Sequence, residues 1–445
     1  MLGYYIRLAL KSFARTPGLT ALMVAAVGFG IAACIVTLTV YHTMSGNPIW
    51  WKDGVLYAVT MDSWDPKSPY DSSHPELPPD QLTYQDAIYL FASDIPSAKT
   101  IYTLVGGALS GAPGQTIPLP VNTEATTTDF FRMFDVPFEY GGPWQSEADH
   151  GPEPVIVLSR AENDRLFGGA DSVGRTILWN NLSFRIVGVL DDWYPRPKFY
   201  NLTGGGSGNF GIPEAPFVPF RWSTVLHLGP GGTIDCWGRG PGSSYEQLLG
   251  STCVWISMWV QLPSRAQRER FLDFMNAYWA QQRRQGRFQR PLDNQLWTVS
   301  QWLRIHDVVS GDSRLLLELA FAFLAVCLIN TAGVLLAKFL RGAPISGVRR
   351  ALGASRRQIL EQHLVEVALL ALAGSGLGLL LGALGLRGVQ AMYANGYSDY
   401  GAAAHFDSHG VFLALALATA TAVAAGLYPA WRIGRVSPSE YLKSQ

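Results

Sequence analysis

Residues 19–43 contain no Asp, Glu, Lys or Arg. About 20 apolar residues in a helix cross the hydrocarbon core of a bilayer. Three further stretches meet that length: 315–337, with Glu318 as its one charge, 364–386, with Glu366, and 411–431, with none. A soluble core seldom holds four such runs, so the chain reads as a four-span membrane protein. The first run is too long for a signal peptide, and no small-residue cleavage site precedes "NPIWW". It therefore reads as an uncleaved anchor.

Basic residues give the orientation, because cytoplasmic loops accumulate Lys and Arg. Arg7, Lys11 and Arg15 precede the first span. Lys338, Arg341, Arg349, Arg350, Arg356 and Arg357 lie between the second and third, and Arg432, Arg435 and Lys443 follow the fourth. These twelve face only two acidic residues, Glu361 and Glu440. The connection 387–410 has Arg387 against Asp399 and Asp407. Both termini and the loop 338–363 are thus expected in the cytoplasm, with 44–314 and 387–410 outside and a tail over 432–445. Within 1–18, "YYIRLALKSFART" has apolar and basic positions at helical spacing, as in an amphipathic helix at the inner membrane surface. A formal net charge of zero argues against nucleic acid as a partner.

The outer stretch has ordinary soluble composition. "GVLYAVTM" (54–61) reads as a strand and "LTYQDAIYLFAS" (82–93) as a helix. "TTTDFFRMFDVPFEYG" (126–141) reads as a short helix capped by Thr128 or Asp129 that enters a loop. "PVIVLSRAENDRLFG" (154–168) reads as strand then helix, and "TILWNNLSFRIVGVL" (176–190) as a hairpin turning at its two Asn. Residues 200–250 are Gly- and Pro-rich and irregular. "VWISMWVQL" is a strand and 264–284 a helix, and 300–321 reads as a helical stalk running into the second span. The fold class is α-helical with four transmembrane helices, plus a large α+β domain inserted between the first two.

Cys34 and Cys327 fall in spans, as small apolar fillers. Cys236 and Cys253 lie in the exported region, where oxidation favours a disulfide; two free thiols are the alternative. Gly374, Gly378 and Gly382 recur every fourth position and offer a face for close helix packing, with a weaker one at Gly28 and Ala32. Glu318 and Glu366 lie near span ends and read as solvated or paired. No nucleotide-binding P-loop, H-E-x-x-H or G-x-S-x-G occurs, and the eight His do not cluster at metal spacings. No catalytic or metal-binding residue is expected.

The stretch 330–382, with "GVRRALGAS" followed by a Gly-rich span, resembles the FtsX/MacB-type permeases of ABC transporters. "GLYPAWRIGRVSPSEYLK" (426–443) is similar to that family's C-terminal ending. "TTTDFFRMFDVPFEYGGPW" and 154–190 are similar to the MacB-type periplasmic domain. The resemblance implies a discontinuous αβ module over 50–150 and 251–305, a second module inserted at 151–250, and a stalk at 302–314. It implies a short coupling helix that docks on a separate ATPase, here Ser346, Gly347, Val348, Arg349, Arg350, Ala351, Leu352, Gly353 and Ala354. ATP and Mg would bind to that partner and no cofactor to this chain. The other implied partners are a second permease subunit, a periplasmic adaptor, a TolC-like outer-membrane protein and membrane lipids. The place would be the bacterial inner membrane and the activity mechanotransmission driving efflux. An FtsX-like regulator of a periplasmic hydrolase and a lipoprotein-release permease are the alternatives. One departure stands out: Ile345 and Ser346, after Pro344, replace the family's acidic residue and Ile, which alters the start of the coupling helix.

Overall fold

The structure is a computed structural model, and it describes residues 2–393 except 113, 114, 116, 203–208, 239, 309 and 310, together with the single residues 416 and 420. Apart from those two positions, the expected fourth span, most of the connection before it and the tail lie outside the described residues. In chain order, α1 (Leu2–Arg15) and α2 (Pro17–Ser45) come first. They are followed by β1 (Leu56–Thr60), α3 (Tyr84–Phe91), β2 (Ala98–Ser110), β3 (Leu119–Thr126), α4 (Asp129–Met133), β4 (Phe138–Gly141) and α5 (Glu147–His150). Next are β5 (Val155–Leu158), α6 (Arg160–Phe167), β6 (Thr176–Trp179), β7 (Leu182–Leu190), β8 (Phe217–Pro219), α7 (Arg221–Val225) and α8 (Tyr245–Leu249). Then come β9 (Ser257–Gln261), α9 (Arg265–Arg284), β10 (Gln295–Thr298), α10 (Val299–Ile305), α11 (Gly311–Ala351) and α12 (Arg356–Tyr393). The chain divides into two compact units: Gly46–Val308, and Met1–Ser45 with Val309–Gln445.

The outer unit is built on one mixed sheet of ten strands, ordered β10-β1-β9-β2-β3-β8-β5-β7-β4, with β6 pairing β2 and β7. β2 is the longest strand, and its two ends serve different neighbours. Residues 98–102 pair with β9, and 103–109 pair with β3. β3 and β4 therefore join the strands of the inserted segment, and the sheet runs across the division drawn at 150/151. The hairpin β6–β7 turns at Asn180 and Asn181, with φ of 49° and 65°. Two positive φ values are what a two-residue type I′ turn needs, and Asn tolerates them. Aromatic residues fill the main core. Phe130 meets Phe134, Tyr102 and Tyr200 edge to face, a geometry that ring quadrupoles favour.

Three outer-unit expectations are corrected. Residues 138–141 are not loop but β4, paired with β7. Thr128 occupies the N-cap of α4 without capping it; its hydroxyl donates instead to the Trp144 carbonyl at 2.6 Å. The stalk is not one helix. α10 ends at Ile305, and Asp307 takes a positive φ of 42° before α11 starts at Gly311. The described residues of the 200–250 stretch are irregular outside β8, α7 and α8. A disulfide between Cys236 and Cys253 ties it to the chain entering β9.

In the other unit, three helices among the described residues are long and apolar enough to cross a membrane: Pro17–His42, Arg314–Gly342 and Arg356–Val389. α2 packs against both α11 and α12, and α1 packs on α12. Cys34 and Cys327 are buried there as free thiols. The α2–α12 seam is where the glycines count. A Cβ added at Gly378 would lie 2.8 Å from Ile31 Cγ2 and 3.1 Å from the Gly28 carbonyl oxygen. At Gly374 it would lie 2.8 Å from Val27 Cγ1, and at Gly382 3.2 Å from Ile35 Cγ2. Gly28 answers from α2, since a Cβ there would meet Leu377 at 3.0 Å. The seam thus uses small residues on both helices, as membrane helices do where no hydrophobic force drives them together. Leu377 belongs to this seam, so the neutral comparison site is the exposed Leu380. Gly378→Leu should overpack the seam and cost about 1–3 kcal/mol or more, lowering the thermal midpoint in detergent, while Leu380→Ala leaves it nearly unchanged. Equal shifts for the two variants would remove the case for a close-packed seam.

Candidate functional site

The site of interest is the junction where α11 ends and α12 begins. The expected coupling residues 346–351 are the last turns of α11, so there is no separate short helix. α11 continues through Pro344 rather than stopping there. A proline forfeits one backbone hydrogen bond and crowds the preceding turn, so its neighbours must hold the helix. The Leu352 amide still donates to the Val348 carbonyl at 3.0 Å, which keeps Val348 and Leu352 one turn apart on one face. Both are exposed, at 55% and 83%. A Cβ at Gly347 would meet nothing within 4 Å.

Gly353 has another cause. Its φ of +103° reverses the chain after the helix, and the Ala354 amide closes the turn on the Arg349 carbonyl at 3.0 Å. Read from the sequence as a small docking residue, it is needed by the backbone. Ser355 then caps α12: its hydroxyl accepts from the Gln358 amide at 3.2 Å, and Gln358 Oε1 accepts from the Ser355 amide at 2.9 Å. The Arg349 guanidinium donates to Gln362 Oε1 at 2.7 Å, fastening the end of α11 to α12. Arg357 pairs with Glu361 in the open, one turn along the helix.

Above this turn the two helices share a buried charge. Lys338 Nζ lies 2.6 Å from Glu366 Oε1, and both side chains are nearly fully buried. Ser12 of α1 donates to the same oxygen at 2.7 Å, and His363 Nδ1 stands 3.8 Å from the other. The Phe13 ring lies 4.8 Å from the Lys338 ammonium, a cation–π contact. Three helices therefore meet on one carboxylate. Sequence reading counted Lys338 as a topology anchor and left Glu366 as a solvated or paired end. The pairing depends on the register of two helices, which no local pattern shows. Among the described residues, no group of three or more His, Cys, Asp and Glu is placed to hold a metal. The Gly374–Gly378–Gly382 seam lies in this same unit, whereas the Cys236–Cys253 disulfide belongs to the other.

Comparison with known proteins identifies the class. Residues 20–276 match the family model of the MacB-like periplasmic core domain, and 319–438 match that of the FtsX-like permease C-terminal domain. Together with the apolar helices, this makes the chain a membrane protein of permease type with a large periplasmic domain. It belongs to the FtsX/MacB-type permease family. It is 24% identical over 329 residues to the macrolide export ATP-binding/permease protein MacB of Escherichia coli (strain K12), covering 73% of this chain and 44% of that protein. It is 23% identical over 379 residues to the pyoverdine export ATP-binding/permease protein PvdT of Pseudomonas aeruginosa, covering 84% and 49%. The chain thus spans about half the length of the curated relatives it matches. Among solved structures, the periplasmic region of MacB from Actinobacillus actinomycetemcomitans matches at 13% identity and a TM-score of 0.35, over 60% of this chain and 100% of that one.

The buried pair yields a prediction. Removing one partner leaves the other charge uncompensated, at a cost of about 3–5 kcal/mol. Lys338→Met should therefore lower the thermal midpoint sharply, and Lys338→Met combined with Glu366→Leu should recover much of the loss. A double-mutant cycle in detergent measures this, and additive losses would mean the two side chains do not act as a pair.

Proposed function

We propose that this chain is the permease subunit of a MacB-like ABC transporter in the bacterial inner membrane. In this reading both termini and the α11–α12 turn face the cytoplasm, and a fourth span at 411–431 completes the subunit. A partner ATPase binds ATP and Mg, and its movements enter through residues 346–354. A second permease subunit pairs with this one. The outer unit responds by changing shape, and substrate leaves through a periplasmic adaptor and a TolC-like outer-membrane protein. The names of the relatives, an export function among them, support this reading.

The observation that carries it is the exposed apolar face of Val348 and Leu352 at the tip of α11. A leucine left 83% in the open at a helix end, beside an unobstructed glycine, suits an apolar groove on another protein. Behind it the tip is tied rigidly. Arg349 bridges to α12, and the Lys338–Glu366 pair locks the helices further along. A push on the tip then moves α11 and α12 together rather than bending the turn.

Leu352→Asp places a charge in that groove and should cost several kcal/mol of docking. Arg357→Ala loses only an exposed pair worth about 0.5 kcal/mol. The readouts are co-purification of the ATPase chain and ATPase activity of the complex in lipid. Wild-type binding and activity for Leu352→Asp would place the coupling elsewhere, with α1 the next element to test.

A further inference from the structure

At the middle of the outer unit's sheet, β2, β3 and β9 border a small cavity. Loop residues Gly232 and Thr233 also line it, near the Cys236–Cys253 disulfide. Glu124 of β3 is 1% exposed and lines this cavity, and neither of its carboxylate oxygens has a hydrogen-bond partner. Three more buried lining oxygens are equally unpartnered: Tyr102 Oη, Gln81 Oε1 and Asn201 Oδ1. The amide nitrogens of the last two are turned elsewhere, Gln81 toward Ser257 Oγ and Asn201 toward Glu214 Oε2, each at 3.5 Å. Two unpartnered lining side-chain donors remain, the Trp255 Nε1–H and the Tyr102 hydroxyl, which can also accept. Among these buried unpartnered atoms, the four pure acceptors of Glu124, Gln81 and Asn201 outnumber the two donors, and a buried polar atom left unmet is costly.

Charge is unbalanced in the same direction. Lys198 and Glu214 are buried, at 0% and 2% exposure, and lie 2.6 Å apart, so they neutralise each other. Burial, reinforced by the nearby Glu214 carboxylate, pushes the Glu124 pKa well above its ordinary value, although Lys198 works against this. An ionised Glu124 needs a positive partner, and among the described residues the cation acting on it, Lys198, is already paired with Glu214. One proton would satisfy one oxygen and leave the amide oxygens unmet. One water would offer two hydrogens and no charge. A singly charged cation answers both deficits at once. An all-oxygen donor set suits a hard cation. A single uncompensated carboxylate matches one charge rather than two.

We propose that this cavity binds one alkali cation, Na⁺ or K⁺, held by the Glu124 carboxylate with the oxygens of Tyr102, Gln81 and Asn201. The ion would clip β2 and β3 to the segment before α3 and to the loop carrying Asn201. It would stiffen the place where β2 passes from one half of the sheet to the other. This inference does not depend on the transport reading.

The test uses the full chain in detergent. Its unfolding midpoint is followed by tryptophan fluorescence while NaCl or KCl replaces choline chloride at constant ionic strength. Binding predicts a midpoint that rises with the alkali cation by about 5 °C over a hundredfold range above the dissociation constant. The better-fitting ion of the two acts at lower concentration. Glu124→Gln, close in shape and uncharged, should abolish the rise. Should that variant not fold, Asn201→Ala should shift the dependence to at least threefold higher concentration. No difference between alkali and choline salts in the wild type overturns the proposal. So does a rise that survives in Glu124→Gln, which would mean an adventitious ion only. A Glu124→Gln variant more stable than wild type in every salt would show that Glu124 holds a proton instead.

Discussion

A lysine and a glutamate buried together in a membrane unit constrain everything around them. Each alone would be expensive in that setting, so the helices must keep the two groups in register. Lys338 sits on α11 and Glu366 on α12, and Ser12 brings α1 to the same oxygen. Sliding or rotating any of the three helices would break a short contact to a buried charge. The α2–α12 seam adds a second restraint. Gly28, Gly374 and Gly378 let those two helices approach until side chains meet backbone, so that close packing replaces a hydrophobic drive. α12 is common to both restraints, which makes it the spine of the unit.

The outer unit solves a different problem. Its sheet is too wide to be one simple layer over one core, and three separate apolar clusters fill it. β2 joins the halves by serving β9 along its first residues and β3 along its last. At that crossing the sheet buries polar groups as well as apolar ones. β3 shows the change along its length. Residues 119–122 alternate between half-buried and exposed, and 123–126 are buried on both faces, Glu124 among them. A strand buried on both faces has no outward side for a carboxylate, so the charge must be met inside.

Much of this was legible in the sequence because it is local. Spans 19–43, 315–337 and 364–386 fall within α2, α11 and α12, since apolar length alone decides them. The Asn180–Asn181 turn and the irregular described segments between β8, α7 and α8 follow from residues that favour positive φ or break regular structure. What stayed hidden depends on distance or register. Residues 138–141 gave no strand pattern of their own and are held by β7. The break after Ile305 rests on one Asp in the left-handed region, a conformation that non-glycine residues adopt too rarely to be read ahead. No local pattern marks Glu124 as buried. Its burial comes from loop residues Asn201, Gly232 and Thr233, far along the chain.

The same distinction separates two kinds of glycine at the α11–α12 junction. Gly353 is explained entirely by its own backbone, because a side chain at φ of +103° would be strained wherever it pointed. Among the described residues nothing explains Gly347, whose surroundings are open. Val348 and Leu352, on the same stretch of helix, are equally without apolar cover. An exposed leucine by itself needs no explanation. Two exposed aliphatic residues one turn apart, on a tip braced by Arg349, Lys338 and Glu366, make a rigid apolar edge that no described residue covers. Rigidity is what distinguishes this edge from loose surface apolarity. The bracing lies within the chain, and among the described residues nothing covers the edge it supports.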